Sequence, residues 1–166
     1  MPRSPADAVV ALRSLDRRWR GLFAGLGADE APDDLAHRIG AGGDAASDHA
    51  VRATRTLSLL DRALEQVLID EATVLHPAVG DAAQRAWDGH VGGSVDDLIL
   101  DLVAQAEQLA DRADGVAAAE WARRAPVAGQ EADIGALEIL WNAVDSAIAE
   151  LKSAERILHE VRGRPA

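Results

Sequence analysis

Apolar residues recur at alternating steps of three and four along four stretches of the chain, with charged residues largely between them. This spacing is typical of amphipathic helices. Ser4, Pro5 and Asp7 favour a helix start, because a hydroxyl caps free N–H groups, proline presets a helical φ and a carboxylate suits the positive helix end. Gly25 and Gly27 indicate the end of that helix. The four predicted helices span residues 5–24, 44–70, 95–114 and 133–161.

The connections between these helices are rich in glycine and proline, which favours turns. They are predicted to hold one helical turn around Asp33 to Leu35, a short helix over residues 81–87 and a helical appendage over residues 116–124. No segment alternates apolar and polar residues over a strand's length, so no strand is predicted. Four amphipathic helices bury one another most simply as a bundle. The predicted fold is therefore all-α, a four-helix bundle with short accessory helices in the connections.

Composition supports one folded domain. The chain has 166 residues, of which 48% are hydrophobic and 27% charged, and no linker divides it. This length is enough for one sizeable core, and the composition is too apolar for intrinsic disorder. A single domain over residues 1–166 is expected.

Charge and hydropathy narrow the partners and the compartment. The net charge of -11 repels phosphate backbones and anionic lipid headgroups, so neither nucleic acid nor a membrane is an expected partner. No apolar run reaches the length of a membrane span, and the first ten residues lack the apolar core of a secretory signal. A cytoplasmic location is expected.

The residue inventory limits metal chemistry to histidine and carboxylate ligands, because the chain has five histidines and no cysteine. His49, near the start of the second predicted helix, is the best candidate for a site that faces the core. Its alternative is a ring that packs at the helix end and forms a hydrogen bond. His37 and His90 fall in predicted loops, where solvated rings are expected. His76 precedes a proline, which favours a role in a turn.

Other candidate chemistry gives weaker signals. Glu155 and His159 form an i, i+4 pair that could share a proton or a metal, with an exposed pair at the helix end as the alternative. No serine lies in a Gly-x-Ser-x-Gly elbow, and Gly89 to Gly93 has no phosphate-loop lysine. The four tryptophans could wall a pocket, although core positions are more usual for them; they are Trp19, Trp87, Trp121 and Trp141.

Two stretches, with the order of the helices, carry a family resemblance. Residues 43–52 (GDAASDHAVR) are similar to a Gly-Trp-Ser sequence that opens a second helix. The end of that helix normally supplies a metal-binding histidine. Residues 121–124, Gly129 and residues 136–151 are similar to the approach to a final helix. In these features the chain resembles the DinB-like bundle superfamily, which includes mycothiol-dependent maleylpyruvate isomerases and related thiol transferases. The resemblance implies one DinB-like helical bundle domain over residues 1–166.

The positions that this resemblance assigns to the metal ligands carry no histidine. Arg52 stands at the first of them, and Asp145 and Ala149 stand at the two in the last helix, with Glu150 adjacent; Asp44 replaces the family's tryptophan. An arginine places a fixed positive charge where a divalent cation would bind, and alanine has no donor atom. The resemblance therefore implies a bundle whose usual metal site has been lost.

Two arrangements of these residues are open. In one, His49 joins Asp145 or Glu150 in a noncanonical site for zinc or nickel. In the other, Arg52 pairs with Asp145, and a salt bridge replaces the metal.

Three functions follow from the resemblance and its departures. The favoured one is a DinB-like protein that retains a scaffold or small-molecule pocket without metal chemistry. The alternatives are an active, metal-dependent thiol (mycothiol-type) transferase with a noncanonical site, and a non-enzymatic interaction module that binds a protein partner or forms a homodimer. These three functions do not agree on whether the protein is an enzyme, so the sequence assigns no enzyme class.

Overall fold

The computed structural model describes residues 3–24, 31–70 and 72–162. Within them the chain is mostly helical, which confirms the all-α prediction. The α-helices are α1 (Pro5–Arg13), α2 (Leu15–Ala24), α3 (Pro32–Ala36), α4 (Ala46–Ile69), α5 (Val95–Asp114) and α6 (Ala136–Val161). Three 3-10 turns occupy Pro77–Val79, Ala82–Arg85 and Ala118–Ala122. The predicted turn near Asp33 and the appendage after residue 115 are both present, the latter as a 3-10 turn.

The long helices α4, α5 and α6 confirm three of the four predicted spans to within three residues at each end. The prediction of one helix over residues 5–24 is wrong, because the helix is interrupted at Ser14 and forms two segments, α1 and α2. There the Ser14 hydroxyl donates a hydrogen bond to the Ala11 carbonyl at 2.7 Å, which competes with the helical backbone pattern. The predicted start holds, since Ser4 Oγ accepts from the backbone N–H of Asp7. The predicted stop at Gly25 lies outside the described residues.

The prediction of no strand is also wrong. Strands β1 (Arg124–Ala125) and β2 (Ile134–Gly135) pair antiparallel, with Arg124 opposite Gly135. A parallel bridge joins Leu75 to Val127. Ladders of two residues are too short to produce a visible alternation in the sequence, so the pattern could not have shown them.

The core lies between α4, α5, α6 and α1. Helix α4 packs most extensively on α6 and then on α5, while α1 packs on α5 and α6. Helix α6 buries part of its large apolar side chains, whereas Leu137, Trp141 and Ile148 are only partly buried. Small side chains on the buried face let α6 approach its neighbours closely; these are Ala136, Ala143, Ala147 and Ala154.

One buried ion pair ties α4 to α5. The Asp61 side chain is 1% exposed and accepts from Arg112 Nε at 2.6 Å and Nη2 at 3.2 Å. Gln108 Nε2 donates to the same carboxylate at 2.6 Å. These bonds compensate the desolvation of the carboxylate.

In the described part of the chain, none of the helices is long and apolar enough to cross a membrane.

Candidate functional site

His49 lies in the first turn of α4, with its side chain only 8% exposed. Its Nδ1 is 2.5 Å from Glu150 Oε2 of α6, and its Nε2 is 3.9 Å from Asp44 Oδ2. Because an ionised carboxylate only accepts hydrogen bonds, His49 Nδ1–H is the donor to Glu150. His49 therefore packs at the start of α4 with its ring hydrogen-bonded, as the alternative interpretation expects.

Arg52, one turn after His49, forms a bidentate pair with Asp44. Its Nη1 and Nη2 lie 3.1 and 2.6 Å from the two oxygens of that carboxylate, and its Nε donates to the Trp87 carbonyl at 2.9 Å. The hydrogen bond to Arg52 lowers the pKa of Asp44 from its usual value, and the bond to Asp44 raises the pKa of Arg52. Both groups therefore stay charged near neutral pH.

A tight turn before α4 aims Asp44 at this arginine. Gly40 N–H donates to the Asp44 carbonyl at 2.8 Å, and Gly43 N–H donates to the Gly40 carbonyl at 3.1 Å. Gly43 has a φ of 89°, a conformation that residues with a Cβ rarely adopt. The turn brings Asp44 back beside Arg52, although Asp44 lies outside the helix.

Asp48 is completely buried and holds the loop before α5 against the start of α4. Its carboxylate accepts from Ala45 N–H at 2.9 Å, from Val91 N–H at 3.2 Å and from His90 Nδ1 at 2.7 Å. The first bond is a helix cap, while the other two come from the loop. His90 itself is 56% exposed, as its predicted loop position suggests.

His37 makes a second connection to the same loop. Its Nδ1 is 2.8 Å from Ser47 Oγ, and its Nε2 is 2.7 Å from the Gly93 carbonyl. His37 is therefore held on both ring nitrogens, and the prediction of a simply solvated ring is wrong for it. We call the groups at this end of α4 the α4 N-terminal cluster: Asp44, Asp48, His49, Arg52, His90 and Glu150.

The other predicted site residues lie elsewhere. Asp145 is exposed on α6 and forms a 2.6 Å ion pair with Arg3. The predicted pairing of Arg52 with Asp145 is therefore wrong, because each has a different partner. Ala149 is also exposed, so neither of these two α6 positions faces α4. The α6 residue that does face His49 is Glu150.

The donor set around His49 does not fit a divalent ion. Over the residues that the structure describes, no group of three or more histidine and acidic side chains could hold a metal. His49 and Glu150 are adjacent, but they bond to each other, and Asp145 is not near them. A metal ion at His49 would also need the Asp44 carboxylate as a ligand. That carboxylate is already paired with the fixed positive charge of Arg52.

His76 and the pair Glu155 and His159 lie outside this cluster. His76 precedes a 3-10 turn, and its Nδ1 accepts from the Ala78 N–H at 3.1 Å, which confirms its role in a turn. Glu155 and His159 are both exposed on α6, in agreement with the alternative of an exposed pair.

The tryptophans divide between core and pocket. Trp19 is fully buried, whereas Trp87 lies under the guanidinium of Arg55 at 5.6 Å. Trp121 and Trp141 line a pocket of about 410 Å³ at the start of α6, together with three arginines. We call it the Trp121–Trp141 pocket. The core prediction holds for Trp19, and the pocket alternative holds for this pair.

Comparison with known proteins gives no relative: no protein-family model, no curated protein and no solved structure matches the chain.

Proposed function

We propose that the chain is a four-helix bundle of the DinB-like type that binds a small molecule and does not use divalent-metal chemistry. Four helices around one core support the bundle, and the resemblance in residues 43–52 and 136–151 supports the family. The observation that carries the functional part is the bidentate Arg52–Asp44 pair at the position where the resemblance expects a histidine ligand.

The α4 N-terminal cluster supports a structural role in this proposal. Each of its carboxylates already has a cationic or N–H partner: Asp44 has Arg52, Asp48 has His90 and two backbone N–H groups, and Glu150 has His49. A divalent ion would have to displace Arg52 from Asp44 and leave its partly desolvated guanidinium without a carboxylate partner, which is costly. The internal pairs therefore replace a metal as the link between α4, α6 and the loop before α5.

A metal-dependent thiol transferase is the second candidate, and one contact favours it. A carboxylate that orients a histidine through Nδ1 leaves Nε2 as a potential ligand, as in many metal sites. Glu150 orients His49 in this way, with Nε2 directed toward Asp44. This candidate requires that Arg52 leave the Asp44 carboxylate when a metal binds.

The test is metal content and metal response. The protein is purified without chelator, its zinc and nickel are measured by inductively coupled plasma mass spectrometry, and its Tm is followed during zinc and nickel titration. We expect less than stoichiometric metal and an unchanged Tm. Stoichiometric metal that disappears in His49→Ala, but not in the exposed control His159→Ala, would contradict the proposal.

Arg52→His provides the matched gain of function. It removes the fixed charge and adds an imidazole one turn from His49, beside Asp44 and Glu150. We expect this variant to gain a zinc-dependent rise in Tm, since a ligand at 100 times its Kd stabilises the native state by about 2.7 kcal/mol. No response from this variant would show that Arg52 is not what prevents metal binding.

A further inference from the structure

The Trp121–Trp141 pocket lies at the opposite end of α4 from the cluster. Arg123, which lines the pocket, donates to the carbonyl of Leu68 in the last turn of α4, whereas His49 lies in the first turn. At 1.5 Å per residue the two ends are separated by about 28 Å along the helix. The pocket is therefore a separate site.

The lining of the pocket combines flat aromatic surface with positive charge. Two indoles and Leu137 supply the apolar walls, while three arginines and one acidic residue, Glu138, supply the charges. The whole chain carries a net charge of -11, so three guanidinium groups around one pocket stand out against an acidic background. A volume of about 410 Å³ is sufficient for a small organic ligand.

The arginines differ in how far their charge is already compensated. Arg3 pairs with Asp145 at 2.6 Å and stacks over Trp141 at 4.7 Å, so it serves as a charged wall. Arg124 donates to the backbone carbonyl of Asp133, which is neutral. Its Nη2 is 3.9 Å from the Glu138 carboxylate, and both side chains are 56% exposed. A contact of that length between exposed groups contributes little. Arg124 is therefore the best anchor for an anion.

Local backbone structure fixes the position of Arg124. It pairs with Gly135 across the two short strands, and a Cβ at Gly135 would lie 3.1 Å from Arg124 Nη1. The Arg124 guanidinium therefore lies close to the backbone of Gly135, where a side chain would be in its way. The Glu138 carboxylate accepts a hydrogen bond from the Gly135 N–H at 3.4 Å. Part of its hydrogen-bonding capacity is therefore used at the start of α6.

We propose that the Trp121–Trp141 pocket binds a small, planar aromatic carboxylate, with its ring against the indoles and its carboxylate on Arg124. The guanidinium groups repel a cationic ligand, and a purely apolar ligand would cover Arg124 without providing an acceptor. Aromatic rings pack favourably on indole, and arginine recognises carboxylates through paired N–H donors. This inference rests on the proposed function, whose small-molecule ligand it assigns to a chemical class.

The test uses 2-naphthoate as the probe and 2-naphthamide as its neutral counterpart. Binding to the full chain is followed through the four indole N–H signals in ¹⁵N-edited NMR spectra, each assigned with a Trp→Phe variant. We expect 2-naphthoate to shift the signals of Trp121 and Trp141 and to leave those of Trp19 and Trp87 in place. The amide should bind at least tenfold more weakly.

Two charge variants test the anchor in opposite directions. Arg124→Gln should raise the Kd for 2-naphthoate at least tenfold, and Glu138→Gln should lower it severalfold because it removes the opposing carboxylate. Arg55→Gln is the matched control, since Arg55 also lies over an indole, that of Trp87, outside the pocket. It should leave the Kd unchanged.

The inference is overturned if 2-naphthoate shifts no indole signal at millimolar concentration, or if the amide binds as tightly as the acid. It is also overturned if Arg55→Gln weakens binding as much as Arg124→Gln. The metal titration concerns the other end of α4. A failed naphthoate experiment thus removes the ligand class and leaves the absence of metal chemistry to its own test, whereas a metal response would remove the proposed function and leave the naphthoate result standing.

Discussion

The buried carboxylate of Asp48 is the structural centre of the α4 N-terminal cluster, and its removal is predicted to destabilise the protein strongly. Asp48→Ala deletes an acceptor used by three donors: the N–H groups of Ala45 and Val91, and the ring of His90. The Ala45 N–H is buried, so water does not easily replace the lost acceptor. The loop that carries His90 and Val91 loses its attachment to α4.

The size of the effect follows from the three bonds. A hydrogen bond to a charged acceptor contributes about 1.5–3 kcal/mol when it is buried. The bond to Ala45 qualifies fully, and the longer bond to Val91 belongs at the lower end of this range. His90 is 56% exposed, so its contribution is under about 1 kcal/mol. We expect Asp48→Ala to lower the free energy of unfolding by about 3 kcal/mol, equivalent to a fall in Tm of about 6–12 °C.

Urea unfolding at pH 7, followed by circular dichroism, measures this loss, and amide hydrogen exchange of Val91 reports the loop. Asp48→Asn keeps an acceptor without the charge and should lose about half as much. Asp101→Ala, at an exposed position on α5, should change stability by less than about 0.5 kcal/mol. A loss below 1 kcal/mol in Asp48→Ala, or unchanged exchange at Val91, would refute the reasoning.

Two ion pairs, Asp61 with Arg112 and Asp44 with Arg52, are expected to stabilise the fold. Arg112→Met leaves Asp61 buried without its cation and should cost about 3 kcal/mol in urea unfolding, whereas the double change Asp61→Leu with Arg112→Met should return to within about 1 kcal/mol of the native protein. A double variant as unstable as the single one would contradict this. Because Arg52 lowers the folded-state pKa of Asp44, their pair contributes stability that is present above the unfolded pKa and lost as pH falls through the folded pKa. The Tm difference between the native protein and Asp44→Asn should therefore shrink from about pH 5 to pH 3, and a difference that does not vary with pH would refute it.

The long helices could be predicted because their apolar spacing extends over many turns. The buried face of α6 is harder to predict from the sequence, because leucine and tryptophan dominate an apolar pattern to which alanine contributes little. In the structure Trp141 is drawn to the rim, where it lies under Arg3, and Ala143 and Ala147 take the close contacts. A rotation of the buried face by part of a turn is enough to move Asp145 from the expected site to the surface.

Only the parts of the candidate site that depend on helix geometry alone could be predicted from the sequence. His49 falls on the inner side of α4, and Glu150 was among its possible partners. The Arg52–Asp44 pair depends on the turn at Gly43, which returns a residue from outside the helix, and no periodicity reports such a turn. The role of His90 depends in the same way on a loop that folds back onto Asp48.

The two ends of α4 differ in how much of their chemistry is already used internally. In the cluster, the internal pairs satisfy each carboxylate, so a ligand must first break a favourable contact, which costs affinity. Between the ends, alanines bring α4 and α6 close together; Ala50 and Ala53 of α4 and Ala147 of α6 are each at most 1% exposed. At the start of α6, the Arg124 guanidinium has a neutral carbonyl as its close partner and faces open pocket volume. Ligand binding is favoured where a polar group still gains a partner, which is the reason for proposing the Trp121–Trp141 pocket as the ligand site.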